Sequence, residues 1–72
     1  MKMLKKEVTE IEENITETIY TYKEGEIIVT INSEEGISNH DVYPFDDEDA
    51  NAWLETTTLT KAKKLLKNYR SV

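Results

Sequence analysis

A chain of 72 residues has room for one hydrophobic core, so a single domain over 1–72 is expected. With 38% hydrophobic and 33% charged residues the composition is globular, and the lack of cysteine excludes disulfides, thiolate zinc sites and redox pairs. The net charge of −6 hides an asymmetry: three lysines precede residue 7, residues 7–55 hold all fifteen acids against Lys23 alone, and residues 56–72 hold five bases and no acid.

Lys2, Lys5 and Lys6 are not followed by an apolar stretch, so no secretory leader is expected. The longest aliphatic run, Ile27-Ile28-Val29, is far below the roughly 20 apolar residues a spanning helix needs. A soluble protein of the cytoplasm is the expectation.

Leu4, Val8, Ile11 and Ile15 recur at intervals of four, three and four, which predicts a helix over about residues 4–15. A strand is the rival, because Val8, Thr9, Ile11 and Thr16 are β-branched. Thr18 to Ile31 predicts a hairpin turning at Glu24-Gly25, which would pair Tyr22 with Ile27, Tyr20 with Val29 and Thr18 with Ile31. Alternation places Tyr20, Tyr22, Ile27, Val29 and Ile31 on one face, the expected core side. Ser33 to Gly36 predicts a second turn, and Ile37 to Tyr43 a returning strand that Pro44 stops.

Asp46 is a helix-capping residue with acids in the turn after it, so a short helix is predicted from about Asp47 to Leu54. A second, over Leu59 to Arg70, would carry Leu59, Ala62, Leu65, Leu66 and Tyr69 on one stripe. The expected fold is α+β: a small three-stranded antiparallel sheet with an N-terminal helix, or an extra strand, and C-terminal helices packed on one face.

The residue types that carry chemistry do not fall into a recognisable catalytic or metal-binding pattern. Aligning Asp47, Asp49 and Asn51 with the first calcium-loop ligands puts Ala52 where the turn glycine belongs and Thr58 where the bidentate glutamate belongs, so no metal is expected. His40 is the single histidine; its neighbour Asp41 would point to the other face of a strand, which excludes a direct dyad. A surface or edge-strand histidine is expected there. Gly25 and Gly36 are the only glycines, too few for a phosphate-cradling loop, so neither an enzyme nor a cofactor is expected. The acidic bulk of the chain argues against direct nucleic-acid binding by the lysines of the last helix.

Two readings remain. In the first, the chain binds a basic protein surface through Glu34, Glu35, Asp41, Tyr43, Asp46, Asp47, Glu48 and Asp49, carboxylates standing in for phosphates and an aromatic residue for an anchor. The sheet followed by Asp46-Asp47-Glu48-Asp49 and then by Thr56-Thr57-Thr58-Leu59-Thr60 resembles, as a class, the small acidic inhibitors encoded by phages, the anti-CRISPR and DNA-mimic proteins. The resemblance covers about the last half of the chain, and implies a partner among host defence nucleases or other nucleic-acid enzymes. In the second reading the chain self-associates, the basic helix of one copy meeting the acidic sheet of another in a homodimer.

Overall fold

The computed structural model describes residues 2–45 and 54–68. Its elements in chain order are β1 (Met3–Glu12), β2 (Ile15–Tyr22), β3 (Gly25–Asn32), β4 (Ile37–Pro44), β5 (Leu54–Thr56) and α1 (Leu59–Asn68). The five strands form one antiparallel sheet in the order β1-β2-β3-β4-β5, each beside its neighbour in the chain.

The expectation of a three-stranded sheet with an N-terminal helix, or an extra strand, and C-terminal helices is therefore corrected: the sheet has five strands, and of the two readings of residues 4–15 the strand is the one formed. Residues 4–15 form β1 and the start of β2, and among the described residues α1 is the only helix. The misreading has an identifiable origin. The β1–β2 register is irregular between Met3 and Lys5 and again between Glu10 and Glu12, so Leu4 and Ile11 are extra residues in bulges. Each bulge breaks the period of two, and Leu4, Val8, Ile11 and Ile15 then fall at helix-like intervals along an extended chain. The helix expected from Asp47 lies outside the described residues except at its last position: Leu54 opens β5.

β2, β3 and β4 occupy the segments expected of a meander, but the first hairpin turns one residue earlier than Glu24-Gly25, which shifts each residue's partner by two. Tyr20 faces Ile27 and Thr18 faces Val29, so the turn is Lys23-Glu24. A shift of two preserves every residue's face. Gly25 opens β3, where a Cβ would fall on the Tyr43 carbonyl oxygen and within 2.8 Å of Leu66 Cδ1 and 2.9 Å of Pro44 Cα. Close packing beneath the helix, not turn geometry, demands glycine there.

The other turns use left-handed backbone. Asn14 has φ 69° in the β1–β2 turn and Gly36 has φ 69° in the β3–β4 turn. Asn32 Oδ1 accepts from the backbone N–H of both Glu34 and Glu35, at 3.1 Å each, shaping the latter turn. The two turns are joined where Ser33 donates from its N–H and its hydroxyl to the Asn14 carbonyl.

α1 starts at Thr58, whose Oγ1 accepts from the Lys61 N–H at 3.2 Å. The helix packs on β4, β5 and β3. Tyr22, Ile27, Val29, Val42, Ala62 and Leu66 form the core beneath it, with Tyr20, Leu54 and Leu59 against its rim. A ten-residue helix is about 15 Å long, while the molecule extends 40 Å along its greatest axis. Part of the sheet consequently lies beyond the helix on this face, and the other face carries no helix among the described residues. His40, expected at the surface or on an edge strand, is buried on the helix side of β4, between Val29 and Thr56, because β5 pairs beyond it.

Candidate functional site

The register sorts every strand residue to one of two faces, since directly opposed residues of antiparallel strands share a face. Away from the helix, four rows cross the sheet. They read Lys5–Thr21–Glu26–Tyr43; Glu7–Ile19–Ile28–Asp41–Glu55; Thr9–Glu17–Thr30–Asn39; and Glu12–Ile15–Asn32–Ile37. This open face thus bears Glu7, Glu12, Glu17, Glu26, Asp41 and Glu55 against one base among the described residues, Lys5. Lys5 is itself engaged, its Nζ lying 2.7 Å from Glu7 Oε1.

The second row brings two carboxylates together. Asp41 stands directly opposite Glu55, an arrangement of like charges that destabilises a sheet, with their Cβ atoms about 5 Å apart. Half-buried Ile19 and Ile28 separate this pair from Glu7. Tyr43 lies one row away, and its hydroxyl is held above the usual phenol range, first by loss of solvent and then by the Asp41 and Glu17 carboxylates. Those two acids, on different strands, therefore act on the same side chain. Among the described residues no group of three or more His, Asp or Glu side chains is placed to hold a metal ion.

Of the residues expected to bind a partner, Asp41 and Tyr43 sit together on this face. Glu34 and Glu35 are exposed at the β3–β4 turn, at the opposite end of β4 from Tyr43, and do not join them. Asp46, Asp47, Glu48 and Asp49 lie outside the described residues. Glu17, Glu26 and Glu55 were not singled out, although for the first two a signal existed. Once Tyr20, Tyr22 and Ile27 are assigned to the core side, period-two alternation sends Glu17 and Glu26 to the other. Glu55 had none, because it fell between the two expected helices, in a segment to which no strand was assigned.

The helix side has the opposite charge. A cleft of about 530 Å³ opens between α1 and the β1–β2 strands, and its charged residues are Lys6, Lys63, Lys64 and Lys67. Lys6 Nζ lies 5.5 Å from the centroid of the Tyr20 ring. His40, buried beside the core, has an Nδ1 without a hydrogen-bond partner among the described residues.

Comparisons with protein-family models, with curated proteins and with solved structures find no match to this chain. No described helix is long and apolar enough to cross a membrane.

Proposed function

We propose that the chain is a non-catalytic binding protein of the cytoplasm whose acidic sheet face occupies a basic surface on a partner, in the manner of the phage-encoded inhibitors it resembles. The partner of that chemistry is a nucleic-acid enzyme, such as a host defence nuclease, whose groove is built for phosphates. One observation carries the reading: six carboxylates on a single strand-built face, two of them directly opposed, with the face's one lysine already paired. An opposed Asp41–Glu55 pair costs the free protein stability and is relieved when a cation settles between them. Duplex DNA carries about one negative charge per 1.7 Å of its axis, so a groove built for phosphates suits a face that displays many carboxylates. Ile19, Ile28 and Tyr43 supply apolar contact between the charges.

The test begins with the immobilised chain and lysate from a low-GC bacterium, at low and high salt. It compares the native chain with the triple variant Glu17→Gln, Asp41→Asn, Glu55→Gln. The expected result is retention of a basic nucleic-acid enzyme that is lost in salt and lost in the variant, and whose DNA the free native chain displaces. Equal retention by the variant, or a captured enzyme that still holds its DNA, would overturn the reading.

A second reading, self-association, is favoured by β1. Edge strands are normally short or covered; β1 has ten residues, all exposed, among them Met3, Leu4, Val8 and Ile11. Pairing β1 with β1 of a second copy about a twofold axis through Val8 sets Lys6 opposite Glu10 twice and Val8 opposite Val8. No like charges are opposed, and the central pairs stay within the unbulged stretch Lys5–Glu10. The lysines of α1 and the open acidic face lie on opposite sides of the sheet, so joining those two would instead stack copies head to tail without closure. Sedimentation separates the cases: a β1 dimer dissociates on Val8→Pro, whereas a monomer at all concentrations removes this reading.

A further inference from the structure

The cleft between α1 and the β1–β2 strands plays no part in the acidic-face reading and has a character the rest of the chain lacks. Acids outnumber bases fifteen to nine in the sequence, yet all four charged residues lining this cleft are lysines. Lys63 and Lys67 are four apart on α1 and share its side, with Lys64 beside them, an arrangement that costs an isolated helix stability. Lys6 faces them from β1. Among the described residues, no carboxylate pairs with any of the four; the ion pair there is, Lys5–Glu7, belongs to the other face. Four cations brought together without a counter-charge hold dissolved anions near them, and a single polyvalent anion does so more tightly than several small ones.

The walls and the size narrow the class. A cleft of about 530 Å³ lies within the range of small-ligand sites, and Met3, Tyr20 and Tyr22 supply apolar wall beside the lysines. A long polyanion leaving the cleft would run along β1 past Glu10, on the same face, and into the charge of a chain with net −6. A short one ends where the lysines end.

We propose that this cleft binds a small polyphosphate, either the phosphate chain of a nucleoside triphosphate or a free polyphosphate. Lys63, Lys64 and Lys67 hold it from α1, Lys6 closes over it from β1, and Tyr20 forms the floor. The step is binding alone; no bond is made or broken.

The experiment is a titration of the ¹⁵N-labelled 72-residue chain, followed by amide and lysine resonances, with tripolyphosphate and with adenosine triphosphate free of divalent metal. Both are expected to give saturable shifts centred on Lys6, Tyr20 and residues 63–67, weakening as salt is raised. The exposed pair Lys63→Gln, Lys67→Gln should weaken both probes by about tenfold or more, each lost contact being a charge-assisted one. Lys61→Gln, the same charge change on the same helix outside the cleft, should leave affinity unchanged. Tighter binding of the triphosphate nucleotide than of tripolyphosphate assigns the ligand as a nucleotide; equal binding assigns the phosphate chain alone, and either supports the cleft. Shifts that never saturate and spread equally to Lys2, Lys5 and Lys23 would overturn the proposal, as would native-like affinity in the double variant.

Discussion

Beneath α1, Ile27, Val42, Ala62 and Leu66 are fully buried, while two strands from β3 every residue of β1 is exposed, Leu4 at 62% and Val8 at 61%. Both regions belong to one hydrogen-bonded sheet, and both carry aliphatic side chains. What separates them is reach: ten helical residues cover the β3–β4–β5 side and stop short of β1. Strand formation thus needs only a paired neighbour and alternating side chains, while stability comes from the part of the sheet that also has a cover.

Truncation in the two regions should break the comparison most sharply. Leu66→Ala removes a fully buried side chain from beneath the helix and should cost about 2–5 kcal/mol in urea unfolding. In so small a domain that is enough to unfold most of the population. Val8→Ala should change stability by less than about 0.5 kcal/mol. Equal costs would mean that β1 is covered in solution, and would move the weight of the functional argument to the β1 dimer. Next in size is Gly25→Ala. The added Cβ meets the Tyr43 carbonyl and Pro44 backbone, which cannot yield as a side chain end does, and a loss of about 1–3 kcal/mol is expected in the same assay. A neutral result would show that α1 and β4 are looser there than the packing implies.

The smallest expected effect is alkaline. Tyr22, at the boundary between the two regions, has its hydroxyl raised above the usual phenol value, first by burial and then by Tyr20. At neutral pH both native and unfolded chains hold this proton. As pH rises through the ordinary phenol range the unfolded chain loses it first, the native state then binds more protons, and stability falls. Unfolding measured at about pH 9 and about pH 11 should show that fall, and Tyr22→Phe should lessen it. An unchanged pH dependence in the variant would remove Tyr22 as its source.

The meander from β2 to β4 was legible because Tyr20, Tyr22, Ile27 and Val29 alternate cleanly between turn-forming residues. Its exact closure was not, since Gly25 reads locally as a turn residue and only the approach of Tyr43, Pro44 and Leu66 reveals why glycine is there. β1 was misread because bulges at Leu4 and Ile11 impose helix-like intervals on a strand. On the open face, Asp41 and Tyr43 were the residues named from the sequence that the register places together. Glu17 and Glu26 were readable from alternation, whereas Glu55 became a neighbour of Asp41 only through β4–β5 pairing.

The sequence by itself determined which residues of β2, β3 and β4 share a face, and that α1 carries a buried stripe through Ala62 and Leu66. Those are local properties, fixed by side-chain periods of two and 3.6. The tertiary structure alone decided that six dispersed carboxylates meet on the open face, that four lysines from two distant segments meet in one cleft, and that His40 is buried. Each of these depends on which strands pair and where the helix comes to rest, and such contacts between distant residues leave no period in the chain to read.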